Sequence, residues 1–477
     1  MRVSQYFNLG RTQAQLEFVD VEIERDTKLF IDPRALRLLE SEWAERSVAL
    51  IQDFFNHVID LIGSGDDLRA QRLLSVLREP NETHLGLSKG RPQGHGLGED
   101  SAVSVWEALA ESEAVKSGLL EDLEDTILMI PGISNDLISD IATNIIRGPL
   151  IEFTQEVSRF YEIPLVPDVD SGPIWYSTRH EWDSEFVVLP VVDGRKLLFV
   201  PKAIVRRKME YDPDEYYRHF ILTSLQEHEL AANSELVELL KGGKRRVTKK
   251  AVSEKYGSGK SMVVAQTREH PELLDRYRQS KRSAPSEPLT NQQLDEGYSA
   301  PDWDQLLGAV TDCVPGAADA NRYHRAVEAL MQALFYPALV SPQRESRLHQ
   351  GRKRIDIRFT NASTSGFFWR VHTHHEVVAG YVYVECKNYT EEVANPEVDQ
   401  VSGRFSPTRS RLGLLVCRTI EDREKLIARC GDTARDGRGW VLPLDDQALT
   451  RLVAKRKTDP NDVTFAVLEE LFSNVTS

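Results

Sequence analysis

The stretch YVYVECKNY, residues 381–389, decides how this chain reads. Six of its nine residues are strand formers or cysteine, yet Glu385 and Lys387 stand in the middle. Alternate side chains of a strand point to opposite faces, so positions 385 and 387 share one. Burying charge is costly unless it is paired, metal-bound or used in chemistry. The neighbouring elements show what a carboxylate and an ammonium could do together there.

Upstream, RIDIRF (354–359) reads as a strand in which Asp356 faces away from Ile355 and Ile357. If it pairs with 381–389, Asp356 and Glu385 meet on one face with Lys387 one step along. Before it, ANRYHRAVEALMQALF (320–335) reads as a helix whose apolar side carries Tyr323, Val327, Leu330, Met331 and Leu334. Downstream, Asn395 reads as an N-cap and Pro396 as a first helical position, opening PEVDQVSGRF. A buried strand LGLLVCR, a helix EDREKLIARCGDTA, a strand GWVLPL and two final helices follow. This order predicts an α/β sandwich around a short mixed sheet.

Two carboxylates from neighbouring strands make a small, hard oxygen site suited to Mg²⁺, with Mn²⁺ as a substitute. Such an ion polarises a phosphoryl oxygen and lowers the pKa of its bound water. Lys387 could orient that water or offset charge on the phosphate.

The arrangement of helix, Asp on one strand, Glu-x-Lys on the next, helix and strand resembles the PD-(D/E)XK nuclease superfamily, the restriction-endonuclease-like fold, over about residues 305–445. The resemblance implies that Asp356 and Glu385 bind a divalent metal and that Lys387 serves the attacking water. It makes Glu328, which shares a helix face with His324, the first-helix acid. It places Gln400 and Arg404 where members keep polar residues that position metal or substrate. Ile355 replaces the proline of the family's name, and the 29-position offset from Asp356 to Glu385 implies an insertion near 361–379. The implied function is Mg²⁺-dependent hydrolysis of phosphodiester bonds in DNA, in restriction of foreign DNA or anti-phage defence, a step made by analogy. The alternatives are a catalytically inactive binding or regulatory module of the same fold and a structure-specific DNA repair nuclease.

The remainder is read as a helix-rich α+β domain (1–240) and a basic segment with linker (241–302), the nuclease-like domain taking 303–477. The N-terminal part alternates over LEFVDVEIERDTKLFIDP, giving one or two strands, and is helical through ALRLLESEWAERSVALIQDFFNHVIDLIG. FVVLPVVDGRKLLFV predicts a hairpin turning at Asp193-Gly194. Residues 241–282 hold thirteen Lys or Arg against four Asp or Glu. Within them Lys244, Arg245 and Arg246 are candidate phosphate contacts. YGSGKSM (256–262) belongs to this basic block rather than to a nucleotide loop, because Glu254 stands where that motif needs glycine. RVHTHHEV (370–377) reads as a polar surface hairpin rather than a zinc site, and the glycine-rich 84–98 as a surface loop.

Composition is that of a globular protein, 41% hydrophobic and 28% charged, and the net charge of −15 argues against a non-specific DNA coater. Four widely spaced cysteines read as reduced, buried thiols. No apolar run is long enough for a membrane helix and the start has no signal-peptide core, so the expectation is a cytoplasmic protein without membrane association. DNA is the expected partner, with a homo-oligomer or partner protein engaged through the N-terminal domain.

Overall fold

The structure, a computed structural model, describes residues 1–87, 107–295, 297–348, 353–375 and 377–477. The glycine-rich stretch singled out above lies outside the described residues from position 88 onward. No helix among the described residues is long and apolar enough to cross a membrane.

The first unit is built on helices. α1 (Glu42–Ser64) starts where the Ser41 hydroxyl accepts from the Ala44 amide and stops at left-handed Gly65. Its apolar stripe of Ile51, Phe54, Phe55, Val58 and Leu61 joins α2 (Asn135–Ile145) and α3 (Arg147–Phe160) in one core. Of the strands expected before residue 34, Phe30–Ile31 forms, antiparallel to Val205–Arg206. The predicted hairpin is present: Val192 pairs with Arg195 around Asp193 (φ 50°) and Gly194 (φ 77°), the two left-handed positions a type I′ turn requires.

The expected basic segment is folded, while the expected linker after it has one short helix among its described residues, Asn291–Leu294. A hairpin of β1 (Glu238–Leu239) and β2 (Arg245–Arg246) leads into α4 (Lys249–Tyr256), α5 (Lys260–Glu269) and α6 (Pro271–Ser283). Val247, Val252, Val263, Val264, Leu273, Leu274 and Tyr277 are buried in the first core. Apolar residues at helical spacing between the lysines hold the segment down, which a count of charges hides.

The second unit is a five-stranded mixed sheet with helices packed on it. From residue 320 onward its elements are α7 (Ala320–Phe335), β3 (Leu339–Leu348), β4 (Lys353–Asn361), α8 (Gly366–Thr373), β5 (Tyr381–Lys387), α9 (Asn395–Ser402), β6 (Leu412–Cys417), α10 (Arg423–Arg435), β7 (Trp440–Leu444), α11 (Asp446–Thr458) and α12 (Ala466–Thr476). The strands lie in the order β3-β4-β5-β6-β7, antiparallel at the first two junctions and parallel at the last two. β5 and β6 are buried along their whole length, as parallel strands covered on both faces are. On β5, Val382, Val384 and Cys386 enter the main core with α7, while Tyr381 and Tyr383 pack with Ile355 and Phe405.

Two elements depart from the sequence reading. β3 was not expected: it carries Pro342 and several charged residues, which an edge strand tolerates. The stretch read as a polar hairpin is helix α8, anchored by buried Phe367, Phe368 and Val371. His372 faces the Val377 carbonyl and accepts from the Ala379 amide, while His374 lies against Trp369 and His375 against Phe472, so the three rings form no metal cluster.

Candidate active site

The site sits where two strands part. β4 and β5 pair up to Ile357 and Val384, after which Asp356 and Glu385 would be the next pair. There the Asp356 carboxylate takes over from the backbone: its Oδ2 accepts the Cys386 amide at 2.9 Å. Asp356 Oδ1 makes no hydrogen bond among the described residues, and Oδ2 lies 3.8 Å from His324 Nε2 on α7. His324 Nε2 is also 3.3 Å from the Cys386 carbonyl oxygen.

Glu385 and Lys387 share the opposite face of β5 from Cys386, as period-two alternation dictates. Both are buried, Glu385 to 3% and Lys387 to 8% exposure. The charges meet directly: Lys387 Nζ is 3.0 Å from Glu385 Oε1, and it donates to Gln400 Oε1 on α9 at 2.8 Å. Arg404 donates to the other oxygen of Glu385. Burial works against the charge on Lys387, but the Glu385 carboxylate beside it outweighs that cost and holds the ammonium above the ordinary lysine range. A lysine kept protonated donates hydrogen bonds and offsets negative charge; it does not take up a proton.

Asp356, Glu385, Lys387, Gln400 and Arg404 line one cleft of about 590 Å³, with His324 on its wall. Five of the residues singled out from sequence are thus brought together. Glu328 is not. It borders an adjoining cleft of about 570 Å³, separated from the first by His324 and Asp356. There Arg344 of β3 donates from Nε to Glu328 at 2.7 Å and from its other arm to Glu17 of the first unit at 2.8 Å. The guanidinium lies 3.3 Å from the centre of the Phe160 ring. Burial is the main cause that lifts the Glu328 carboxyl to about 7, with Arg344 pulling the other way. Arg344 is shared between two buried carboxylates, so its pull on Glu328 does not offset the burial. Lys244, Arg245 and Arg246 stand on the exposed β1–β2 hairpin and do not line the cleft.

Sequence reasoning missed His324 as a wall of the site, although its place one turn before Glu328 was visible. It also missed Arg344 and Glu17, for which nothing local gives a signal. His324, Asp356 and Cys386 have ligand atoms within 4.8 Å of one another, the one such trio among the described residues. Burial and then the Asp356 carboxylate push the Cys386 thiol well above its ordinary pKa, so it is a poor soft ligand. The donors that remain on the cleft wall are the His324 imidazole and the carboxylates of Asp356 and Glu385, the latter held by Lys387 and Arg404.

Residues 8–212 match the family model described as Domain of unknown function (DUF8370). The match lies within the first unit and stops before the cleft. No curated protein matches the chain, and no solved structure does.

Proposed function

We propose that the cleft hydrolyses phosphodiester bonds in DNA and that it belongs to the PD-(D/E)XK nuclease class. The observation that carries the reading is the meeting of Asp356, Glu385 and Lys387 in one cleft at the fork between β4 and β5. A divalent ion held by Asp356 and Glu385 would supply charge stabilisation at the phosphoryl oxygens and a more acidic water. Lys387 is placed to orient the attacking water or to donate to a non-bridging oxygen, and Gln400 fixes its ammonium. Arg404 is held on Glu385 in the free protein and is near enough to the same cleft to turn to a substrate phosphate. The biological setting we assign is restriction of foreign DNA or anti-phage defence.

A second reading, a metal-independent regulatory module, draws on the fact that both Glu385 oxygens already face cations. A substrate panel separates the two. Supercoiled plasmid, linear duplex, single-stranded DNA, forked DNA and RNA are incubated with the protein in Mg²⁺, Mn²⁺ or EDTA, beside Asp356→Asn. Metal-dependent cleavage by the wild type alone supports the nuclease, and a preference for forks would assign it to repair. Inertness on every substrate with either metal overturns the proposal in favour of the regulatory module.

A further inference from the structure

The basic block takes no part in the cleft, yet its structure is specific. β1 and β2 are joined through Gly242 (φ 92°) and Gly243 (φ 77°), with Leu239 opposite Arg245 and the Leu240 amide donating to the Lys244 carbonyl. Residues 241–250 contain six Lys or Arg and no acid. Lys241 and Lys244 make no ion pair among the described residues, whereas Arg246 pairs with Glu238 and Arg245 bonds Asn233. At this basic tip Leu239 is 77% exposed and Leu240 39%.

Behind the hairpin, α4 and α5 are joined by a three-residue turn, Gly257 to Gly259, both glycines having positive φ. Two short helices joined by a three- or four-residue turn with glycine are the element order of a helix-turn-helix. The pair is held in place. Tyr217 donates to the Gly257 carbonyl and meets Ser253, Lys260 ties α5 to the Ile130 carbonyl, and Val252, Val263, Val264 and Thr267 are buried. That leaves Ser261, Ala265 and Arg268 exposed at positions i, i+4 and i+7 on one face of α5.

We infer that this hairpin and helix pair form a docking surface for double-stranded DNA, separate from the cleft and independent of metal. Lys241, Lys244, Arg245 and Lys250 contact phosphates. The small residues Ser261 and Ala265 allow α5 close approach to a groove. Leu239 and Leu240 act as an apolar wedge at the groove, a use of exposed leucine that fits its cationic surroundings. Single-stranded nucleic acid is the poorer fit, because its binding relies on aromatic platforms and the hairpin tip carries none. The surface deepens the nuclease reading but stands on its own residues.

The test is fluorescence anisotropy of the full chain with a labelled duplex in EDTA over a range of salt, with cleavage scored separately so that either claim can fail alone. Each phosphate contact contributes about −0.9 to the slope of log affinity on log salt, so K241A/K244A lowers the steepness by about 1.8 and weakens binding roughly 60-fold at 0.1 M salt. Leu239→Ser weakens binding without changing the slope. All these side chains are exposed, and circular dichroism melts check that the variants fold. Unchanged affinity and slope in both variants overturns the proposal. So does loss of binding to phosphatidylserine vesicles in the variants with no duplex binding by the wild type, which would assign the tip to a membrane surface.

Discussion

Replacing Glu328 with glutamine tests how the two units are joined. Glu328 and Glu17 are each 4% exposed in their side chains and share the guanidinium of Arg344. With its carboxyl lifted from 4.5 to about 7, Glu328 keeps its proton in the folded chain and loses it in the unfolded one over that interval. Stability from this group is therefore present below pH 4.5, falls as pH rises and is gone above about 7. At 1.36 kcal/mol per pKa unit, the loss between pH 5 and pH 8 is about 2–3 kcal/mol. Glutamine has the same shape and does not titrate, so Glu328→Gln should be less sensitive to this pH rise by that amount. Urea unfolding of both proteins at pH 5, 6, 7 and 8 reads the difference directly. Parallel pH profiles for wild type and variant would refute the reasoning, and would mean that Arg344 keeps Glu328 ionised throughout.

Three further outcomes follow from the site. Asp356→Ala leaves the buried Cys386 amide without its acceptor and should cost about 1–3 kcal/mol, whereas Asp356→Asn keeps an oxygen there and should unfold near the wild-type urea midpoint. Arg404→Ala frees one oxygen of Glu385, so calorimetry should show tighter Mn²⁺ binding while cleavage slows; weaker Mn²⁺ binding would contradict the role given to Arg404. All four cysteines are buried and unpaired, and burial first, then Asp356, raises the Cys386 thiol well above its ordinary pKa. Ellman's reagent at pH 8 should therefore label them only in denaturant, and rapid labelling of the native chain would show that β5 opens.

Much of the second unit was legible because its elements are strongly patterned. The helix at 320–335 has the predicted bounds and its five named apolar residues are all buried. β5 announced itself by two charges in an apolar run, whereas Gln400 and Arg404 were singled out only through the family resemblance. What escaped depends on tertiary contacts. β3 has neither alternation nor a hydrophobic run, and its place at the sheet edge makes Pro342 acceptable. α8 hid behind histidines, although Phe367, Phe368 and Val371 carry its packing. Glu328 looked like a site acid from one helix, yet its partners Arg344 and Glu17 come from a sheet edge and from the other unit. The basic block was read by its charge alone, which drew attention away from the valines and leucines that bury it. The helix start near Asn395 was off by one residue, since Ala394 holds the cap position.

The central claim is that Asp356, Glu385 and Lys387 act together on a phosphodiester. Nicking of supercoiled plasmid by wild type and Lys387→Ala, under single-turnover conditions with Mg²⁺ or EDTA, tests it most directly. The account predicts cleavage that needs the metal and slows about 100-fold or more in the variant. Equal rates for the two proteins, or cleavage that persists in EDTA, would contradict it.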